Sequence, residues 1–376
     1  MGSISHEPPK PWIETPCIFS APLSRAAGCN IYIKLDNLQP SGSFKSRGVG
    51  NMMFRAMSNP PPEAVAGAAD PSDVHFYCSS GGNAGLACAT SAVALGRPAT
   101  IVVPRTTPAL MVSKLRSLGA EVVQTGANWA AADAHLRSEL LANHGRRHSG
   151  RGVYVPPFDH PDIWSGVSHL VDELADQLGH SSTTAATVDA VVCNVGGGGL
   201  LCGVMEGLQR NRDSNRGRQG PHPLLAATDG SAPRVLAVET VGAESLYASV
   251  AAGEVVTLPE VTSIATSLGA PRVADKTFEW TRQGAGGDDG ARVVCATVTD
   301  ADAVMGSARF LDDARMLVEV ACGATVATVY NGALRRHLGK GLGDAEWAEK
   351  NVVVIVCGGS NINVELLQKY REEYGV

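Results

Sequence analysis

The chain has 376 residues, 44% of them hydrophobic, and a formal net charge of −6. That length and apolar content supply a core for one large domain or two ordinary ones. The acidic balance argues against a nucleic-acid partner and against attraction to acidic membranes, and no run of about 18 apolar residues marks a membrane span.

The N-terminal stretch MGSISHEPPKPW lacks the apolar segment of a signal peptide, and His6 stands where a myristoylation signal has Ser or Thr. The first strand expected is Ile31–Leu35. Beyond it lies SGSFKSRG (Ser41 to Gly48), followed by Val49, Met52, Met53 and Ala56 at helical spacing. VHFYC (Val74 to Cys78) reads as a strand, SSGGN as a turn, and AGLACATSAVAL as an apolar helix stopped by Gly96. Strand Ala99–Val103 comes next. The following helix has Thr107 as its expected cap, Pro108 in the first turn and Gly119 at its end. After strand AEVVQT, Asn128 is placed to cap a helix reaching about His144.

The same rhythm continues with strand GVYVP, a helix over 160–179, strand Ala190–Val195, four glycines, and helix LLCGVMEGLQ. RVLAVE and VVVIVC are apolar enough to be strands covered on both faces. Alternation at this spacing means βαβ units around mostly parallel sheets. Stretches 58–73, 144–152, 211–234 and 282–292, rich in Gly, Pro, Ser or charge, are expected to be surface loops. The nine cysteines form no CxxC pair and sit mostly in apolar runs, which reads as buried free thiols in a reducing, cytoplasmic setting.

Three turns at strand ends carry the chemistry. In VGGGGLLCG, Gly196, Gly197, Gly198 and Gly199 follow a strand and open a helix at Leu200. Bare glycines let backbone N–H groups converge, and the helix N-terminus adds partial positive charge, so this is a phosphate cradle; a flexible turn is the alternative. GxGxxG fails, because the sixth place counted from Gly196 is Leu201, and no glycine-rich loop ends in Gly-Lys-Ser/Thr. A small phosphorylated cofactor remains. SSGGNAG (Ser79 to Gly85) offers hydroxyls, open amides and the Asn83 amide, a set suited to a carboxylate plus a ring oxygen, although such turns often only cap a helix. CGGSN (Cys357 to Asn361) closes the last apolar strand. Ligands of open α/β sheets sit at such carboxyl ends.

Of the eight lysines, only Lys45 lies in a Ser/Gly loop before a helix. There the charged form is disfavoured, and a neutral amine is what Schiff-base chemistry requires; a solvated surface lysine is the alternative.

SGSFKSRG, SSGGNAG, VGGGGLLCG and CGGSN occur in the order and at about the spacing found in the pyridoxal-phosphate enzymes of the tryptophan synthase β family, and the chain resembles that family from about Pro16 to Gln368. PFDHPDIW, VETVGAESL, SIATSLGA and EVACGATVATVY resemble its catabolic serine/threonine dehydratase branch. The resemblance implies two open twisted-sheet α/β domains with pyridoxal 5′-phosphate in the cleft: a small domain over 41–153 and a discontinuous large one over 1–40 and 154–376. It implies that Lys45 bonds the cofactor, that Phe44 packs by its ring, and that Gly196 to Gly199 with the Leu200 amide cradle its phosphate. Asn83 matches the partner of the ring 3′-oxygen, Ser80 with Gly81 and Asn83 the substrate-carboxylate loop, and Cys357 the partner of the pyridine nitrogen. Glu239, Ala243, Ser245 and Leu268 match ligands of a monovalent cation such as K⁺.

The implied reaction is α,β-elimination of L-serine and L-threonine to pyruvate or 2-oxobutyrate and ammonia, in a homodimer. Racemases of the family carry a serine as second base where this chain has Gly81, which argues against racemisation. Three other readings stand beside it: β-replacement of the cysteine synthase kind, elimination on an unusual β-hydroxy amino acid, and a non-catalytic cofactor-binding protein.

Overall fold

Residues 9–58, 73–179, 187–216, 225–283 and 292–376 are described in the structure, a computed structural model of the chain. Among them are ten strands: β1 (Cys17–Phe19), β2 (Asn30–Lys34), β3 (Val74–Cys78), β4 (Ala99–Val103), β5 (Glu121–Gln124), β6 (Arg151–Tyr154), β7 (Ala190–Asn194), β8 (Arg234–Thr240), β9 (Val293–Val298) and β10 (Asn351–Ile355). The chain divides into two compact units, one of residues 1–13 and 39–166, the other of 14–38 and 167–376.

The first unit holds a four-stranded sheet in the order β5-β4-β3-β6, parallel throughout. β3 and β4 are buried along their whole length, which is why their sequences are nearly continuous apolar runs. Helices Lys45–Ser58, Asn83–Leu95 and Ala109–Ser117 supply Met53, Ala87 and Leu115 to the core beside Phe76 and Ile101. The second unit holds a six-stranded sheet in the order β1-β2-β10-β7-β8-β9, parallel except for the antiparallel β1–β2 pair at one edge.

Most expected elements are present. Gly96 ends its helix in the left-handed conformation at φ 64°, and the Asn128 side chain accepts from Ala131 N as a cap should. Thr107 does not cap. The helix begins at Ala109 without a side-chain cap, and the Thr107 side chain lies against Gly81 instead. The stretch 144–152 is partly ordered: His144–Arg147 forms one helical turn and β6 starts at Arg151. The helix after the four glycines runs to Arg216, past the loop boundary expected at 211. Most of 58–73 and 282–292, and residues 217–224, lie outside the described residues. All nine cysteines are free thiols; Cys17 and Cys295 are half-buried and the others buried.

In the first unit, three imidazoles cluster beside β3, with His144 and His148 stacked and His75 tilted or edge-on to them. The His75 ring lies 4.7 Å from His148 and 5.8 Å from His144, and Tyr77 OH is 2.9 Å from His144 Nδ1. His75 Nε2 meets Thr100 Oγ1 at 2.8 Å, and that hydroxyl donates to Glu121. Burial, then repulsion from His148 and His144, pushes His75 down to about 4, against a weaker opposing pull from Glu121. His75 is thus neutral in the fold. Its contribution is complete above its ordinary value near 6.5 and is lost as pH falls toward 4, by up to roughly 3 kcal/mol. Melting temperatures measured from pH 7 to pH 4.5 should fall steeply for the native chain, and His75→Phe should flatten that slope.

Candidate active site

In the first unit the strand order reverses beside β3: β4 and β5 continue to one side of it and β6 returns to the other. A crevice forms outside the carboxyl ends of parallel strands at such a switch point. Two of the sequence motifs come together there. Ser79 to Asn83 leave the end of β3, with Asn83 opening the helix Asn83–Leu95. Val155 to Phe158 leave the end of β6, and the carbonyl of Pro157 accepts a hydrogen bond from Lys45 Nζ at 2.6 Å.

Lys45 is the first residue of the helix Lys45–Ser58, as its place in the sequence implied. It is half-buried, and its nitrogen lies 5.2 Å from the Phe44 ring centre and 6.0 Å from that of Phe158. Lys34 is more deeply buried, but it is held by Glu173 at 2.6 Å and the Thr15 carbonyl at 2.5 Å and serves the core of the second unit. Of these two lysines, Lys45 is the one set at a crevice with a carbonyl and two aromatic faces around it.

The turn 79–83 is tightly fitted. Ser80 Oγ accepts from Gly82 N at 3.3 Å, and a Cβ at Gly85 would fall 1.8 Å from the Ser80 carbonyl oxygen. At Gly81 an added Cβ would meet Thr107 Cγ2 at 2.7 Å, so Thr107 fills the space that a larger residue there would need.

The second unit has its own reversal, between β7 and β10. β7 leads into the four glycines and β10 into Cys357, so parallel pairing of Val354 with Val192 sets those two turns side by side. Gly196 and Gly197 are partly open, while Gly198 is buried and has φ 97°. A Cβ at Gly198 would fall 1.8 Å from Thr277 Oγ1, and one at Gly196 would fall 3.0 Å from Leu268 Cα. The helix Gly199–Arg216 starts at the fourth glycine. Closely packed glycines before a helix N-terminus fit a phosphate group.

Cys357 is buried, and its sulfur accepts from Asn194 Nδ2 at 3.1 Å. The same amide donates to the Ala321 carbonyl at 2.7 Å, which fixes its orientation. A hydrogen bond with the Cys322 thiol, then burial, then the nearby Glu319, hold the Cys357 thiol well above the ordinary thiol range, and the Asn194 bond opposes them only in part. The thiol is therefore neutral, with weak donor and acceptor capacity. Glu319 is itself buried and lies against the turn, accepting from Asn361 N at 3.2 Å.

Glu239, next to last in β8, is a buried carboxyl that accepts from Leu246 N and Tyr247 N at 2.8 and 2.7 Å. Burial pushes it up to about 8 against those two bonds. The buried hydroxyl of Ser245, the first residue of the helix Ser245–Ala252, has no hydrogen-bond partner among the described residues. A buried acid bonded to the start of that helix and an orphaned hydroxyl at the same helix start fit a cation; Ala243, two residues before Ser245, and Leu268, in a separate short helical turn, are also buried.

Sequence reasoning gave no site role to Asn194, Thr277, Thr107, Glu319 or Pro157. Asn194 left a trace, as the polar last residue of the apolar strand AVVCN. Thr107 was expected only as a helix cap, and Pro157 and Glu319 appeared only as the first residues of PFDHPDIW and EVACGATVATVY, because each matters through a contact with a distant turn.

The family model for pyridoxal-phosphate dependent enzymes matches residues 10–358, and the chain belongs to that family. Within it, the L-serine dehydratase/L-threonine deaminase of Bos taurus is 39% identical over 364 residues, covering 97% of this chain and 96% of that protein. The serine dehydratase-like protein of Rattus norvegicus is 41% identical over 359 residues, 96% and 94% of the two chains. The solved fungal L-serine ammonia-lyase from Rhizomucor miehei aligns with a TM-score of 0.77 at 34% identity, over 97% of this chain and 99% of that one. The fold of two α/β sheets and the pyridoxal-phosphate cofactor expected from the sequence are thereby established.

Gly198→Ala should combine backbone strain of roughly 1–2 kcal/mol with the collision against Thr277. Cofactor affinity, measured by titrating the visible absorbance band, should fall at least tenfold while the circular dichroism spectrum is retained.

Proposed function

We propose that this chain eliminates the β-hydroxyl of L-serine and L-threonine, releasing pyruvate or 2-oxobutyrate with ammonia. The observation that carries the reading is the neutral, buried thiol of Cys357 beside the four-glycine turn. The likeness to serine dehydratases over nearly the whole of both chains supports it.

Pyridoxal phosphate, when bound, supplies an aldehyde that bonds the substrate amine and a ring that withdraws electrons from Cα. Gly196 to Gly199 and the Leu200 amide hold its phosphate through backbone N–H groups. Asn83 orients the ring through its side-chain amide, and Phe44 packs beside it. Cys357 faces the ring nitrogen as a weak uncharged group, where a carboxylate would keep that nitrogen protonated. An uncharged group at that place would suit elimination better than reactions that need a protonated ring nitrogen.

Lys45 is the base. Its amine would take the Cα proton and, once protonated, would give a proton to the leaving β-hydroxyl. The Ser80–Gly81 turn and Asn83 hold the substrate carboxylate. Gly81 offers no second base, and Thr107 occupies the space where one would project. Elimination at one face, without racemisation, follows.

We assign the monovalent cation to Glu239 and Ser245, with Ala243 and Leu268, on the strength of the orphaned Ser245 hydroxyl. We further propose a homodimer in the cytoplasm; the nine free thiols fit a reducing compartment.

Lys45→Ala should lower keto-acid formation from L-serine by more than about a thousandfold and abolish the borohydride-reducible bond between protein and cofactor. Retained turnover would overturn the assignment, and keto acid formed from serine without any added nucleophile separates elimination from β-replacement. Cys357→Ser should retain activity to within about tenfold, since a hydroxyl fills the same place as a neutral group. Complete loss with cofactor still bound would show that the ring-nitrogen partner lies elsewhere.

A further inference from the structure

Ser79, the residue between β3 and the proposed carboxylate turn, is completely buried and has both of its polar groups tied to one short helix. Its hydroxyl donates to Asp133 Oδ1 at 2.5 Å, and its carbonyl accepts from Trp129 Nε1 at 2.6 Å. Asp133 is itself fixed from two further directions. Tyr154 OH, at the end of β6, donates to Oδ1 at 2.7 Å, and Arg137 Nε donates to Oδ2 at 2.8 Å. The Arg137 guanidinium lies 3.9 Å from the Tyr154 ring centre. Burial alone would raise the Asp133 carboxyl, but the bonds from Ser79, Tyr154 and Arg137 outweigh it and hold the group below the usual carboxylate range.

Trp129, Asp133 and Arg137 are spaced at intervals of four in a stretch otherwise rich in alanine (WAAADAHLR). That spacing puts all three on one face. The Trp129 side chain is about half exposed, so its N–H is spent on a strand-end carbonyl more than its ring is spent on the core. A buried aspartate with three donors costs desolvation that an apolar residue would avoid. The arrangement is directed at the geometry of Ser79, and Ser79 sets where the amides of the next four residues point.

We propose that Asp133 and Trp129 are positioning residues for the substrate-carboxylate turn Ser79–Asn83, acting through Ser79. The inference rests on the elimination reading for the identity of the ligand, a free amino acid carboxylate. It does not depend on that reading for the clamp itself. Turn amides that bind a carboxylate must be held within about half an ångström of their working positions, and this clamp supplies that support.

Three variants of the cofactor-loaded enzyme test it. Trp129→Phe removes one N–H at the surface, Asp133→Leu removes every acceptor, and Asp133→Asn keeps the oxygen that takes the Ser79 and Tyr154 hydroxyls. The expected result for Trp129→Phe and Asp133→Leu is a rise of about tenfold in KM for L-serine, with kcat within about threefold and the cofactor absorbance unchanged. Amide hydrogen exchange should quicken in the peptide covering 79–85 and in no peptide from the β7 and β10 ends. Asp133→Asn should lie closer to the native enzyme in both readouts. Unchanged exchange at 79–85 in both Trp129→Phe and Asp133→Leu overturns the proposal, as does faster exchange throughout the chain with loss of cofactor. A native enzyme that makes no keto acid from L-serine would defeat the elimination reading alone, because the exchange readout still decides the clamp.

Discussion

The amide of Asn194 donating to the sulfur of Cys357 joins the ends of two neighbouring parallel strands. Much of the second unit's chemistry depends on that pairing. β7 and β10 are far apart in sequence, and the strand order reverses between them, which is where an open parallel sheet leaves a crevice at its carboxyl ends. The register that matches Val354 to Val192 brings the four-glycine turn and the thiol to the same edge. A slip by one residue would turn Asn194 to the other face of the sheet and leave the thiol without its donor. The first unit repeats the principle at β3 and β6, where the Ser79 turn and the carbonyl that holds Lys45 leave adjacent strand ends.

Few fixed charges face either crevice. The four-glycine turn of the second unit offers backbone N–H groups and a helix start, and the thiol beside it is uncharged, raised by Cys322 and burial. Charge is spent further away: Lys34 with Glu173 in the core of one unit, and Arg137 with Asp133 behind the Ser79 turn of the other. This division suits an enzyme whose electronic work is done by its cofactor, since the protein's part is then to orient groups.

How much of this was legible in the sequence follows from how far apart the causes lie. β3 and β4 were read to the residue because both faces of a central parallel strand are buried, which leaves an unbroken apolar run. The motifs at Lys45, Ser79, Gly196 and Cys357 stood out because their order and spacing together match a family pattern, although each turn alone could be only a helix cap or a flexible link. β1 and β9 were missed. β1 is a three-residue edge strand with two exposed members, and β9 is half-buried through most of its length, so neither carries a strong apolar signal. Thr107 was misread as a cap because Thr-Pro is a genuine helix-start pattern; its contact with Gly81 comes from a different strand end and has no local signature. Asp133 and Trp129 were hidden in the same way, inside a helix whose sequence resembles an ordinary surface helix.

The two units hold their turns by different physical means, and that difference bears on how each can change. The turn at Gly198 is shaped by exclusion: Thr277 occupies the space beside it, and any side chain at that position meets a wall. Such a site has no intermediate states, because a Cβ either fits or forces the backbone aside. The turn at Ser79 is close-packed as well, at Gly81 and Gly85, but it is also held by attraction, through donors and acceptors drawn from a helix and from β6. Removing one of those bonds leaves the others in place, so its position can be shifted by small steps from residues that never touch a ligand. A chain built this way can shift the Ser79 turn by substitutions in the helix Trp129–His135 while the four-glycine turn stays as it is.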